Sequence, residues 1–401
     1  MTRPAPIAPV AVAACTATCA AGIGLDALAD ALAANRSALT PNTFGEPPLA
    51  GFSGRVAGLE GLPLPPAHAA FDCRVTRLAW LGLQADGFAS LVAAAREAHG
   101  AARVGLVLGT SASTIGASEA AYRALAPDGG FPPELRHEGL NTPHALAAFA
   151  QRVLALEGPC LTVSTACSSS AKAFAVGERW LRLGLCDAVV VGGVEALSNS
   201  LLYGFRSLNL VSGAPCQPFG ADRAGISIGE AAAWALLQRG SGPWRLVGYG
   251  ESNDAHHMSS PHPQGLGAEA ALDDALARAG LDAHEIDFLN LHGTASAQND
   301  EVEAALVARR YAPDLHACAT KGLTGHTMGA ADALEAAVCL LALERGLAAG
   351  SAGTTRIDPG FGARFVQQLR LAPAQRRPRW AASHSFGFGG NNAVLVFGPG
   401  A

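Results

Sequence analysis

The sequence predicts an α/β protein made of two fused halves, each a parallel or mixed sheet covered by helices. Three observations point to this. Short apolar runs suited to buried strands alternate with Ala-rich segments of helical spacing along the chain. The plan of strand, small-residue run and helix occurs at 161–186 and again at 316–346, which indicates an internal duplication although few residues match. Of the 401 residues 49% are hydrophobic and only 15% charged, so much of the chain must be interior, and its 47 glycines suit close helix–sheet packing. The predicted halves are residues 1–240 and 241–401.

In chain order, IAPVAVAA (7–14) reads as the first buried strand. The apolar stretch after Arg3 has the look of a secretory signal, but one basic residue and two interrupting prolines favour the strand. An amphipathic helix is expected over 22–39, and an exposed Pro/Gly-rich loop over 40–66. Helices at 84–99 and 117–125 flank the strand RVGLVLG (103–109), and a loop enters a helix over 139–158. DAVVVGGVEAL (187–197) is apolar throughout, as a central parallel strand buried on both faces must be. Residues 198–230, rich in Ser, Gly, Pro and Asn, read as a long functional loop before the strand AAAWALLQ (231–238). The second half runs through a strand entering a loop (245–254), a helix (269–280), a strand (286–293), a helix (300–311) and the unit at 316–346. RWAASHSFGFGGNNAVLVFG reads as two final strands joined by a Gly-rich turn.

Composition excludes several functions. With 28 basic and 33 acidic residues, net charge −5 and no basic run, nucleic acid is not an expected partner. The nine cysteines are scattered and odd in number, with neither a disulfide framework nor zinc-ligand spacing, so no metal is expected and a reducing cytoplasm fits. No uninterrupted apolar stretch of ~20 residues suggests a membrane span.

The chemistry centres on Cys167 in LTVSTACSSSAKAFAVGERW (161–180), where a strand turns into a helix. Partial positive charge and unpaired N–H groups at a helix N-terminus are expected to lower the thiol pKa. Small neighbours, Ala166 and Ser168 to Ser170, let backbone and substrate approach closely. The alternative is an inert buried cysteine. His292 closes an apolar strand in NLHGTAS, and His326 lies in ATKGLTGHTMGAADALE with Lys321 before it and Glu335 after it. Only folding could bring these residues to Cys167.

TACSSSA, LHGTAS, TKGLTGH and SFGFGGNN, in this order and approximate spacing, resemble β-ketoacyl-acyl carrier protein synthases. The resemblance runs from about residue 100 to the end and more loosely to the N-terminus. It implies a thiolase-like fold, two αβαβα halves forming a layered α-β-α-β-α structure. It also implies decarboxylative condensation of an acyl primer, held on Cys167, with malonyl on acyl carrier protein. His292 and His326 would stabilise the enolate, and the N–H groups of Cys167 and Phe388 would form a separate oxyanion hole. Gly387, Gly389 and Gly390 would let the backbone turn and come close, with Phe388 gating the acyl pocket. Lys321 and Glu335 match the family's buried ion pair, and Thr294 and Ser296 its pantetheine contacts. Asp300 and Glu303 match acidic positions of structural rather than catalytic character, and Ala112 a position at the far end of the acyl pocket across a dimer interface. No cofactor is implied, since the phosphopantetheine belongs to the carrier protein. The implied partners are acyl carrier protein and a second subunit, either a copy of this chain or a chain-length factor.

The chain departs from the family pattern at Gly220 and Ala224, where Asp is usual, while Asp222 and Arg223 remain; Asp332 replaces the usual Gly after the second histidine. AYRALAP, GFRSLNLVS and AHHMSSPHP resemble synthases of bacterial aryl-polyene pigment clusters. Three rival readings are a coenzyme A thiolase, a non-catalytic chain-length factor and an acyl-carrier-binding scaffold. A thiolase needs a second cysteine near the C-terminus, yet the last one here is Cys339. A chain-length factor lacks the nucleophile that this chain keeps.

Overall fold

The computed structural model describes residues 5–132, 139–140 and 142–400. Arg3, and Asn141 within the expected loop at 139–158, lie outside the described residues. Ten strands form the framework: β1 (Val10–Cys19), β2 (Val104–Gly109), β3 (Cys160–Val163), β4 (Ala188–Glu195), β5 (Ala231–Gln238), β6 (Trp244–Asn253), β7 (Phe288–Asn290), β8 (His316–Cys318), β9 (Ala381–Gly387) and β10 (Asn391–Pro399). The first five lie in the order β1-β5-β4-β2-β3 and the last five in the order β6-β10-β9-β7-β8. Each half thus has the same order, with its two outer pairings parallel and the others antiparallel. The duplication that few residues betray is complete in the topology. Antiparallel pairing of Val10–Val12 with Trp244–Leu246 joins the halves.

Strand alternation builds three cores. On β5, Ala231, Ala233, Ala235 and Leu237 face a central core, whereas Ala232, Trp234 and Leu236 face an outer one. On β10, Ala393, Leu395 and Phe397 face the same central core, and Val394 and Val396 face a second outer core. Both faces of each sheet are therefore covered, which is why these strands read as continuous apolar runs. Helices Arg74–Gln84, Phe88–His99 and Ala145–Val153 fill one outer layer, and Leu266–Ala279 and Ala297–Arg310 fill the other. Between the sheets lie α1 (Ser169–Arg182) and α2 (Ala331–Arg345), packed on each other. Every residue of α2 from Ala331 to Leu343 is buried, so this helix is apolar all round rather than striped. At the end of β2, a Cβ on Gly109 would sit 2.4 Å from the backbone nitrogen of Ser170. Glycine here lets the sheet press directly on the first turn of α1.

Some elements differ from expectation. The first strand runs on to Cys19, because Cys15, Ala17 and Cys19 continue its inward face. The expected helix at 84–99 begins only at Phe88, and RVTRLAWLGLQ forms an unexpected helix before it, Arg74–Gln84. The run 74–99 has the length and apolar character of a membrane span. It breaks at Asp86 and Gly87, both at positive φ, and packs as two core helices. The 198–230 loop contains a helix, Asn199–Ser207, whose cap is Ser198: its Oγ accepts from the Leu201 N–H at 3.2 Å.

Candidate active site

β3 ends at Val163 and α1 begins at Ser169, and Cys167 stands in the turn between them. Ala166 adopts φ 54°, a conformation costly for a side chain, and the serines that follow hold it. Ser169 Oγ donates to Ala166 O at 2.6 Å and accepts from the Thr165 N–H at 2.9 Å, while Ser168 Oγ donates to Thr165 O at 2.9 Å.

The C-terminal half delivers both histidines to this turn. His326 Nε2 lies 3.0 Å from Cys167 Sγ. The His292 and His326 rings meet edge to face, 5.4 Å between centroids. The Met328 N–H donates to His326 Nδ1 at 3.3 Å, and the Lys321 ammonium sits 3.5 Å from His292 Nδ1. An ammonium can only donate, so both Nδ1 atoms accept and both imidazoles carry their proton on Nε2. Both rings are buried, and burial first, then Lys321, keeps their pKa values well below the usual histidine range. They are neutral donors.

Lys321 is also paired with Glu335 in the interior, so this is a buried ion pair and not a solvated one. Burial pushes the Glu335 carboxyl up, and Lys321 pulls it back down. Glu303 accepts the backbone N–H groups of His292 and Gly293, each at 2.8 Å. Behind it, Tyr311 OH donates to His384 Nε2 at 2.7 Å and His384 Nδ1 donates to Glu303 at 3.1 Å, a fully buried relay that sequence reasoning missed. Asp300 accepts the N–H of Phe219 at 2.7 Å and of Ala295 at 3.2 Å. Both carboxylates shape the histidine loop without entering the cavity. Glu195, buried on β4, binds the N–H groups of Ser111, Ala112 and Gly329 and so ties the β2 end to the loop after His326.

One sequence expectation fails. The thiol pKa of Cys167 is not lowered: burial pushes it up to about 12, although Lys321 and the Phe388 N–H pull the other way. Taking the sulfur out of water disfavours its charged form.

A cavity of about 460 Å³ opens from the sulfur, lined by Cys167, His292, His326, Thr294, Ser296 and Phe388 among others. Thr294 Oγ1 and Ser296 Oγ lie 2.9 Å apart on its wall. A Cβ on Gly387 would come 3.1 Å from the nitrogens of Cys167 and Ser168, and Gly389 and Gly390 take φ 74° and 70°, so the turn needs glycine. Phe388 stacks on Phe205, ring centroids 5.6 Å apart. Phe205 belongs to the unexpected helix, whose capping Ser198 was the signal available in the sequence. Ala112 does not line this cavity in the single chain; it is half-buried beside Glu195. The loop that lacks Asp at 220 and 224 is held instead by Arg223 on Asp358, 2.6 Å.

The β-ketoacyl synthase N-terminal domain model matches residues 8–242 and the C-terminal domain model residues 245–355. The chain belongs to the β-ketoacyl synthase family. It is 33% identical over 309 residues to Nodulation protein E of Rhizobium meliloti (strain 1021), covering 74% of this chain and 76% of that one. It is 28% identical over 316 residues to 3-oxoacyl-[acyl-carrier-protein] synthase 2 of Vibrio cholerae serotype O1, covering 74% and 76%. Among solved structures it resembles the ketosynthase ApeO in complex with its chain length factor ApeC from Xenorhabdus doucetiae, at TM-score 0.89, 34% identity and 98% of each chain. The thiolase-like fold expected of the family is the one observed.

In this synthase the ligand atoms of Cys167, His292 and His326 lie within 4.8 Å of one another, near enough on distance alone for a metal. Their chemistry does not fit one. Both Nε2 atoms hold protons, and the Lys321 ammonium opposes a second cation.

Proposed function

We propose that this synthase joins an acyl primer to malonyl-acyl carrier protein with loss of CO₂. The observation that carries the proposal is Cys167 Sγ 3.0 Å from His326 Nε2, with His292 beside it and both rings protonated on Nε2. Sγ attacks the primer thioester, the carrier's C–S bond breaks, and the thiol proton leaves with the carrier thiol. His326 supports the developing thiolate as a donor, since its Nε2 has no lone pair to offer as a base. The N–H groups of Cys167 and Phe388 are suited to hold the tetrahedral oxyanion. Malonyl thioester then enters along Thr294 and Ser296, and its carboxylate leaves as CO₂. The electron pair left behind forms an enolate whose oxygen accepts from both histidines. The enolate carbon attacks the acyl-cysteine, the C–S bond to Cys167 breaks, and the thiolate that leaves takes up one proton from solvent. The product is a β-ketoacyl thioester two carbons longer.

The carrier protein brings the pantetheine arm, so this scheme needs no resident cofactor. Likeness to a ketosynthase–chain-length-factor complex supports a dimeric partner, a second copy or a chain-length factor. The resemblance of AYRALAP, GFRSLNLVS and AHHMSSPHP to aryl-polyene synthases supports a polyenoic or aryl-polyenoic primer. Nine free cysteines support a reducing cytoplasm.

The test is release of CO₂ from malonyl carrier protein by the purified chain. His292→Ala and His326→Ala should each lose about 10²-fold or more. Decarboxylation that both variants retain would contradict the proposal.

A further inference from the structure

α2 carries a buried carboxyl that the scheme above does not use. Asp332 is 1% exposed and stands in the first turn of α2. Its Oδ2 accepts the Ala171 N–H of α1 at 3.1 Å, and next to it the Ala333 N–H of α2 donates to Ser170 Oγ at 3.0 Å. These two bonds clip the start of α2 to the start of α1, a few residues beyond Cys167. Ser385 of β9, whose hydroxyl donates to Cys167 O at 3.3 Å, also lies beside the Asp332 carboxyl. Oδ1 of Asp332 and Oε2 of Glu335 are both buried without a hydrogen-bond partner. Lys321 therefore faces two carboxyls, Glu335 and Asp332, and Lys172 of α1 also faces Asp332.

We propose that Asp332 is a positioning residue of the nucleophile, fixing α1 against α2 and, through its charge, setting how readily Cys167 releases its proton. The groups facing it come from every neighbouring element: Cys167 in the turn before α1, Lys172 on α1, Glu335 on α2, Lys321 before it and Ser385 on β9, while Glu195 on β4 also acts on Cys167. Burial pushes Asp332 up to about 6, so its charge changes within the working range of such a site. When ionised it raises the thiol pKa of Cys167, and when protonated it does not.

The test is the rate of Cys167 alkylation by iodoacetamide, mapped by peptide mass spectrometry, in full-length wild type and Asp332→Asn between pH 5 and pH 8. Asparagine keeps an oxygen for the Ala171 N–H and removes the charge. At pH 5 both proteins are uncharged at this position and should react at similar rates. At pH 8 the variant should be about three- to tenfold faster, because removing a neighbouring anion lowers a thiol pKa by about half a unit to one unit. A purely structural role would change the rate by the same factor at both pH values, and that result, or a slower variant at pH 8, would overturn the proposal. If Asp332→Asn does not fold, Asp332→Ser also offers an oxygen and is read by the same ratio. Alkylation needs neither carrier protein nor malonyl group, so this outcome is independent of the condensation reading.

Discussion

At the scale of single residues, the site works by fixing tautomers. Lys321 holds His292 Nδ1 as an acceptor and the Met328 N–H does the same for His326, so two neutral imidazoles present N–H groups to one cavity. Lys321→Ala should therefore do two things. It leaves Glu335 buried without its cation, a loss of about 3–5 kcal/mol in chemical denaturation. It also frees the His292 tautomer, so decarboxylation should fall about 10²-fold or more even below the melting temperature. Unchanged decarboxylation in a folded variant would show that the lysine does not orient the ring. The residues that meet at the cavity were legible in the sequence because Cys167, His292, His326 and Lys321 each sit in a short motif at an element end. Glu195, Phe205 and the Tyr311–His384–Glu303 relay were not, because only folding joins them to the site.

At the scale of elements, Cys167 is placed by α1, and α1 is placed by what presses on it. Gly109 brings β2 against its first turn, and α2 packs along it in the central layer. Leu341 on α2 is 1% exposed and belongs to the core shared by both halves. Leu341→Ala should cost about 2–5 kcal/mol in urea unfolding. A change below 1 kcal/mol would mean that the central layer is looser than its burial implies. Most strands and helices could be read from periodicity. The exceptions have physical causes. Helix Asn199–Ser207 hides among loop-forming residues that cap it, and Asp86–Gly87 splits one apolar run into two helices.

At the scale of the whole molecule, two topologically identical halves place their strand ends around one buried site. The cost of that burial is electrostatic. Asp300 is pushed up to about 7, chiefly by burial. In the unfolded chain such a group ionises near about 4, so the folded state holds an extra proton above that pH. Its contribution to stability is fully present below about pH 4 and is lost as pH rises through about 7. Asp300→Asn should remove its share, making the fall in melting temperature between pH 5 and pH 7 shallower than in wild type. An unchanged slope would show that Asp300 does not hold the extra proton. The condensing role itself is tested most directly by intact-protein mass spectrometry. The chain is incubated with saturated, polyenoic and aryl-polyenoic acyl carrier proteins, and malonyl carrier protein is then added. We expect an acyl adduct that maps to Cys167 and is discharged as a product two carbons longer. A folded chain that takes up no primer, or an adduct that persists in Cys167→Ala, would contradict the account.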